Sequence, residues 1–379
     1  MISAALVAAL VGYGSTIALV VSASLAVGAT PAQTASWVLA LSLAKAAGSA
    51  ILSLRARVPV VLAWSTPGAA LIAATSGVTL PEAVGAFVLA GGLIALTGVV
   101  RPLERMVALI PDGVAAGMLA GVLLPFCLKG AGAAQGLPGI LVPMVVVFAL
   151  VRLRNPALAV LAALALGLGL AFGSGVALWP VLSLPVPVLE FVAPAARFEV
   201  LVGLGVPLYL VTMASQNLPG FAILRGAGYV APVRAALLVT GALSTLSGLF
   251  GAHTTSMAAI TASICLSDDV HPDRDHRWKV GLVYAAFWVG LGLLSPVILP
   301  VLAALPALLM TGLVALALLG PLMGALTAAF VPVETRFAAV MTLAVTGSGV
   351  AVFGVGAAFW GLLAGLAVHG LNRAAARLA

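Results

Sequence analysis

The sequence predicts an all-α polytopic membrane protein with about 14 transmembrane segments, arranged as two inverted repeats of seven. Three observations support this fold class. The chain of 379 residues is 63% hydrophobic and only 7% charged, which is more apolar surface than a soluble domain can bury. Its basic residues fall almost entirely on one predicted face of the membrane. Two stretches of the first half can also be aligned with two stretches of the second half.

Apolar stretches separated by short connections define the predicted spans, and several are shorter than the roughly 20 residues of a full crossing. They cover residues 2–27, 33–53, 59–76, 81–100, 107–127, 138–151, 155–178, 199–220, 233–250, 251–267, 277–299, 303–325, 335–353 and 355–372. The first stretch has no basic region and no clear cleavage site, so we interpret it as a retained span rather than a signal peptide.

The basic residues predict the orientation. If the N-terminus is cytoplasmic, the even-numbered connections are cytoplasmic too, and only Lys129 and Arg197 lie in outer connections. The basic residues of the cytoplasmic connections are Arg55, Arg57, Arg101, Arg105, Arg152, Arg154, Arg225, Arg234, Arg274, Arg277, Lys279, Arg336, Arg373 and Arg377. This bias predicts a multi-pass protein of a bacterial inner (plasma) membrane with both termini in the cytoplasm. The net charge of +7 therefore indicates a lipid bilayer and not a nucleic acid as partner.

Span one contains the small and polar run VGYGST, in which Tyr13 presents either its ring or its hydroxyl to a cavity, or only packs against another helix. Lys45 lies within span two, where it can reach toward the interface or pair with another group, and we assign it no role.

Spans three and ten are each predicted to form a short strand followed by a half-helix, meaning a helix that crosses only part of the bilayer. In span three, Val58 to Leu62 favours extended backbone and Pro67 begins an apolar helix. In span ten, Gly251 to Thr255 favours extended backbone, and the helix is expected to begin at about Ser256. The positive ends of two such helices would point at one place, which suits an anionic group.

The alignment of the two halves supports an inverted repeat. Residues 63–71 align with residues 252–260 at an offset of 189, which matches Trp64 with His253. Ile110, Pro111 and Gly117 match Leu305, Pro306 and Gly312 at an offset of 195. Seven spans per repeat is an odd number, so the second repeat must be inverted. Inverted repeats with paired interrupted helices are typical of transporters.

Further polar groups mark span eight and its neighbourhood. Ser215, Gln216 and Asn217 are consecutive polar residues in an apolar helix, where they need a ligand or another helix as partner. Asp112 is a natural first-turn helix residue. The loop 267–279 is rich in Asp and His, but its histidines lack a metal-binding helical register, so we predict no metal site and no cofactor.

At this point the residues resemble a known family. The stretches SQNLPGFAILRGAGY (215–229) and FGAHTTSMAAITASIC (250–265) resemble signature segments of the benzoate:proton symporter family, BenE. The VGYGST run and the segment Trp64-Ser65-Thr66-Pro67 are similar to that family too, and the resemblance extends over essentially the whole chain. The family in turn resembles the seven-plus-seven inverted-repeat fold of uracil and purine permeases and sulfate-type exchangers.

The resemblance implies a division into two domains with elevator-type movement. Residues 1–100 (spans 1–4) and 199–299 (spans 8–11) would form a core domain. Residues 101–178 (spans 5–7) and 300–379 (spans 12–14) would form a gate domain, through which a homodimer is predicted. Residues 179–198 would form an outer connection between the repeats.

The sequence and the resemblance together predict a secondary transporter, not an enzyme, that imports benzoate or a similar aromatic carboxylate with a proton. Nucleobase permeases place carboxylates on spans eight and ten, whereas the matching positions here are Ser215 or Gln216 and His253, which suits a carboxylate ligand. The alternatives are a nucleobase or inorganic-anion carrier on the same fold, and a passive channel. An intramembrane enzyme would need a base with an acidic partner, and none lies in the span of His253.

The predicted site combines these residues. The carboxylate is expected near Ser65, Thr66, Thr254 and Thr255, with Trp64, Tyr13, Met213 or Met257 against the ring. Gln216 and Asn217 are expected to orient the substrate or to hold the half-helices in register. His253 is predicted to couple transport to the proton, because a bound carboxylate would draw a proton onto a buried neutral imidazole; alternatively the proton travels on the substrate or through Asp112. The predicted substrate-binding residues are Tyr13, Trp64, Ser65, Thr66, Ser215, Gln216, Asn217, His253, Thr254 and Thr255.

Overall fold

A computed structural model describes residues 1–100, 110–181, 187–258, 260–267 and 270–378, and these residues are mostly helical. The helices of the first half are α1 (Ile2–Gly14), α2 (Ile17–Ala26), α3 (Pro31–Ala56), α4 (Thr66–Ala73), α5 (Leu80–Val99), α6 (Asp112–Ala133), α7 (Pro138–Arg154) and α8 (Ala159–Gly173). The helices of the second half are α9 (Phe198–Gly226), α10 (Val233–Gly248), α11 (Ile260–Leu266), α12 (Val280–Leu293), α13 (Ser295–Ala303), α14 (Ala307–Phe330), α15 (Arg336–Gly347) and α16 (Ala357–Leu378). Two strands, β1 (Leu62–Trp64) and β2 (Thr255–Met257), complete the fold.

Several helices are long and apolar enough to cross a bilayer. Within the described chain there are six of these when α1 and α2 are counted together as Ile2–Ala26, or seven if the bent pair Arg274–Leu293 and Ser295–Ala303, which meet at 57°, forms one span. The remaining helices are shorter, as expected for a protein in which some spans are broken. The membrane character is therefore confirmed, whereas the count of fourteen stays a prediction. Arg101, Arg105 and the start of predicted span five lie outside the described residues.

The strands β1 and β2 pair antiparallel, with Leu62 opposite Met257 and Trp64 opposite Thr255. The pairing continues one step further, because the amide of Ser65 donates to the carbonyl of Thr254 at 2.9 Å. Ser65 and Thr254 are also equivalent in the alignment of the two halves. A two-fold axis between inverted repeats would produce this register, and the repeat itself stays a prediction.

The predicted strand-plus-helix segments are present, but their boundaries differ from prediction. The expectation that a helix begins at about Ser256 is wrong, because Ser256 lies in β2 and the described helix begins at Ile260. The reason is that groups outside this segment accept hydrogen bonds from its backbone amides, so these amides do not need helical partners. The amide of Thr255 donates to Ser244 Oγ at 2.9 Å, and the amide of Ala258 donates to the carbonyl of Val61 at 3.1 Å.

The first predicted span is broken between α1 and α2. Ser15 Oγ donates to the carbonyl of Val11, and Thr16 Oγ1 donates to the carbonyl of Gly12 at 2.8 Å. Such hydroxyls compete for helix carbonyls and favour a break or bend. The break leaves Thr16 close to β1, where its Oγ1 accepts from Trp64 Nε1 at 2.6 Å.

Helix α9 contains two π-helical turns, Leu201–Gly205 and Met213–Asn217. A π-turn inserts one extra residue and is frequent at functional sites. The second turn contains the polar run that the sequence singled out, and its wider turn changes the faces on which these residues lie relative to a regular α-helix.

The helices pack in two groups. In one, α5 packs along α10 and α3 packs along α12. In the other, α6 packs along α14 and α15. These groups coincide with the spans that the resemblance assigns to a core and a gate domain, and the division stays a prediction.

Candidate functional site

A cavity of about 1070 Å³ lies where the two groups of helices face each other. Its lining is largely apolar, with a small number of polar side chains, as is usual for small-molecule sites. The polar and charged residues of its described lining are Ser15, Thr16, Lys45, Thr66, Asp112, Arg152, Ser215, Gln216, Thr261 and Tyr284. The aromatic ring of Trp64 also lines it.

The cavity brings together four of the ten predicted site residues, namely Trp64, Thr66, Ser215 and Gln216. The other six are buried and do not belong to its described lining: Tyr13, Ser65, Asn217, His253, Thr254 and Thr255. Met213 and Met257, predicted to contact the ring, are buried as well.

Hydroxyl groups hold the start of α4 against α9. Ser65 caps the helix, because its Oγ accepts from the amide of Gly68 at 3.1 Å. Thr212 Oγ1 donates to Ser65 Oγ at 3.1 Å and is 2.8 Å from Thr254 Oγ1. The hydroxyls of Ser65 and Thr254 are therefore occupied within the protein, whereas Thr66, the first residue of α4, lies at the cavity surface.

The π-turn of α9 divides its three polar residues between cavity and interior. Gln216 is half-buried and lines the cavity. Asn217 is fully buried on the other side, where its Oδ1 accepts from the amide of Met257 at 2.9 Å. Ser215 lines the cavity and donates its hydroxyl proton to the carbonyl of Val211.

His253 is fully buried behind β2, next to α3. Its Nδ1 accepts from Trp37 Nε1 at 3.0 Å, so the hydrogen of the neutral ring belongs on Nε2. Within the described residues, Nε2 has no hydrogen-bond partner. A second proton on this ring would face the Trp37 donor, so protonation requires that hydrogen bond to break.

An aromatic cluster lies next to β1 and contributes Trp64 and Tyr284 to the lining of the cavity. Tyr13, Trp64, Trp288 and Tyr284 contact one another with ring centroids 5.1–5.9 Å apart. Lys45 enters this cluster from α3, with Nζ 4.0 Å from the ring centroid of Trp64 and 2.9 Å from that of Trp288. Lys45 is not among the predicted site residues, although an ionisable group inside a span is itself a signal of a functional site.

Asp112 and Arg152 were also not predicted as site residues. They line the cavity from α6 and α7, next to the predicted cytoplasmic connections. Pro156 and Pro332, which lie in or next to these connections, also belong to the lining. One end of the cavity is therefore at the predicted cytoplasmic side.

The loop between α11 and α12 contains the histidines that were considered for a metal. His276 Nδ1 lies 2.6 Å from Asp273 Oδ2, and both side chains are about half exposed. The backbone amide of Asp275, followed by the His276 side chain, holds the pKa of Asp273 below its usual value. Asp268 and Asp269 lie outside the described residues. Within the described ones, no group of three His, Cys, Asp or Glu side chains could hold a metal ion.

Comparison with known proteins relates the whole chain to membrane transport proteins. The family described as BenE, benzoate membrane transport protein, matches residues 1–371. The chain is 40% identical over 364 residues to the inner membrane protein YdcO of Escherichia coli (strain K12), which covers 96% of this chain and 93% of that protein. It is 32% identical over 335 residues to the benzoate membrane transport protein of Acinetobacter baylyi (strain ATCC 33305 / BD413 / ADP1), which covers 88% and 85%.

A solved structure shares the fold. The transmembrane domain of a cyanobacterium bicarbonate transporter, BicA, matches with a TM-score of 0.61 and 15% identity, covering 96% of this chain and 97% of that one. At this identity the likeness concerns the fold alone.

Proposed function

The chain belongs to the BenE family of benzoate membrane transport proteins, and on that premise we propose that it imports benzoate or a similar aromatic carboxylate together with a proton. The observation that carries the proposal is the composition of the cavity. The buried ring of Trp64 and the polar groups of Thr66 and Gln216, which make no hydrogen bond within the described residues, line one largely apolar space. Such a space suits a ligand with an aromatic ring and one polar end.

The proposed contacts follow from which side chains reach the cavity. The ring packs against Trp64, and Thr66 and Gln216 donate hydrogen bonds to the carboxylate. Asp112 is the acidic residue of the described lining, and it is the first residue of α6. Buried hydrogen bonds hold α4, β2 and α9 in place relative to one another and thereby support these contacts. They are made by Ser65, Asn217, Thr254 and Thr255.

The proposed proton carrier is His253. It is buried next to the β1–β2 ribbon, the antiparallel pair of strands that contains Trp64. An imidazole can change charge near neutral pH in a suitable environment. Since its Nδ1 accepts from Trp37, protonation would have to accompany a change in how α3 packs against the segment before β2. This links the charge of the ring to the conformation of the carrier, as proton coupling requires.

The proposed cycle is elevator-type: the helix group that contains α3, α5, α10 and α12 moves relative to the group that contains α6, α14 and α15. The cavity lies between the two groups, so a relative displacement changes which end of it is accessible.

Uptake into proteoliposomes tests the proposal. The purified full chain is reconstituted, an inwardly directed proton gradient is imposed, and radiolabelled benzoate uptake is measured with and without a protonophore. We expect accumulation above equilibrium that the protonophore abolishes and that excess unlabelled benzoate competes away. Uracil and sulfate serve as competitors for the alternative carriers on this fold.

Two outcomes would overturn this function. Uptake of labelled uracil or sulfate that excess benzoate does not inhibit would assign the chain to a different substrate. Equilibration of benzoate without counterflow of preloaded label would indicate a passive channel.

A further inference from the structure

We infer that Lys45 is the cationic partner of the substrate's anionic group and thereby determines selectivity for carboxylates over neutral aromatic compounds. This inference rests on the proposed function, and its test below separates the two. The inference concerns the charge of the ligand. Thr66 and Gln216 could donate hydrogen bonds equally to a carboxylate or to an uncharged carbonyl group, so they do not determine that charge.

The position of the ammonium group is the first observation. Lys45 is 1% exposed, and yet it belongs to the lining of the cavity. Its Nζ lies against the rings of Trp64 and Trp288, with the centroid distances given above. Trp64 also lines the cavity, so a ligand ring packed against Trp64 would have its polar end within reach of the ammonium.

The absence of a countercharge is the second observation. The ion pairs of the described residues join Arg197 to Glu82 and His276 to Asp273, and neither involves Lys45. Burying an unpaired charge is costly, and the faces of two tryptophan rings offset only part of that cost. An ammonium has three N–H donors and no acceptor, so a carboxylate is the partner that would satisfy it best.

Two further polar atoms in the same cluster also lack partners. Tyr13 Oη and Trp288 Nε1 are buried, and neither makes a hydrogen bond within the described residues. The two rings are 5.8 Å apart and both belong to the cluster that surrounds Lys45. Unpaired buried donors are rare in folded proteins. Their occurrence next to the unpaired Lys45 amine favours a ligand with acceptor oxygens, which would also stabilise the charged form of the amine.

The alternative is that Lys45 only packs between the rings. Both roles predict some loss of stability when the side chain is removed, so stability does not distinguish them. The charge of the ligand does. Benzoate and benzamide have nearly the same shape, and only benzoate carries a negative charge.

The experiment therefore compares the two ligands. The full chain is placed in lipid nanodiscs, and dissociation constants for benzoate and benzamide are measured by calorimetry for the wild type, Lys45→Met and Lys45→Arg. Methionine keeps the length and can contact aromatic rings, and arginine keeps the charge. We expect Lys45→Met to weaken benzoate binding by roughly 30-fold, the range of a charge-assisted hydrogen bond, and to leave benzamide within about 2-fold. Lys45→Arg should retain most of the preference for benzoate.

The outcomes separate the inference from the proposed function. An unchanged ratio of the two dissociation constants in Lys45→Met overturns the inference and leaves benzoate transport in place. An equal loss of both ligands also overturns it, because that result assigns Lys45 to packing. A wild type that binds no aromatic carboxylate overturns both. If Lys45→Met does not yield folded protein, Lys45→Gln is measured in its place, and the same ratio decides.

Discussion

Gln216 and Asn217 are neighbours in the chain, but the π-turn gives them different partners. Gln216 lies at the cavity, whereas Asn217 accepts a hydrogen bond from the amide of Met257 in β2. The two amides therefore offer a matched pair in which one is expected to affect binding and the other stability.

Gln216→Ala should weaken benzoate binding by about 3- to 10-fold, the effect of one lost hydrogen bond, and leave the melting temperature close to that of the wild type. Because an amide does not titrate, the pH optimum of uptake should stay the same. Calorimetry and uptake between pH 5 and 8 (roughly the range in which an unperturbed histidine changes charge) measure both quantities. A pH optimum displaced by a whole unit would contradict this role.

Asn217→Ala should instead lower the free energy of unfolding by about 1–3 kcal/mol, because the buried amide of Met257 loses its acceptor. Thermal unfolding in detergent, monitored by tryptophan fluorescence, measures this. Unchanged stability combined with lost binding would show that Asn217 contacts the substrate, as Gln216 does.

His253→Gln tests the proposed proton carrier. Glutamine can accept from Trp37 but cannot take a proton, so accumulation of benzoate driven by a pH difference should be lost. Counterflow under equal pH on both sides should persist, which shows that the binding site is intact. Continued accumulation against the gradient would assign the proton to another group.

At the scale of elements, the sequence predicted both strand-plus-helix segments but not their boundaries. Runs of β-branched residues indicate extended backbone, and on that basis Val58 to Leu62 was expected to be the strand. In the structure, Ser53 Oγ of α3 bonds with both the amide and the carbonyl of Val60, and the ladder with β2 begins only at Leu62. Which amides a neighbouring helix satisfies depends on packing, and a single sequence does not show it.

For the same reason, only part of the candidate site could be predicted from the sequence. Sequence reasoning identified the segments that surround the cavity and four of its lining residues. It could not tell which side chains of a segment face the ligand, because that depends on the register of two strands and on a π-turn. The role of Lys45 cannot be predicted in this way, because its partners, Trp64 and Trp288, are distant from it in the sequence.

The contact between α5 and α10 provides a test at this scale. Gly91 is buried, and a Cβ added to it would lie 2.6 Å from the amide nitrogen of Thr245, closer than atoms can approach. Gly92 faces open space. Gly91→Ala should destabilise the protein by about 1–3 kcal/mol through overpacking. Gly92→Ala should be neutral or stabilise it by up to about 1 kcal/mol. Equal melting temperatures for the two variants would contradict this packing.

For the whole molecule, the basic residues predict which end of the cavity faces the cytoplasm. The described cysteines, Cys127 and Cys265, are free, so replacing both with alanine gives a background for thiol labelling. In this background we expect Gln135→Cys to react with a membrane-impermeant maleimide in intact cells. Arg154→Cys should react only after the membrane is disrupted. The reverse pattern would show that the chain has the opposite orientation. A homodimer through residues 101–178 and 300–379 stays a prediction, which crosslinking in the membrane can test.

The register of the β1–β2 ribbon has a consequence for the history of the molecule. Ser65 and Thr254 face each other, and Thr212 Oγ1 lies within hydrogen-bond distance of both hydroxyls. A change at one of these three positions alters the surroundings of the other two, so they should covary among relatives. Gln216 makes no side-chain hydrogen bond within the described residues, so a substitution there does not require a second change in a neighbouring residue. New substrate preferences would then arise first through substitutions at Gln216. Substitutions at Ser65, Thr212 and Thr254 would occur only together.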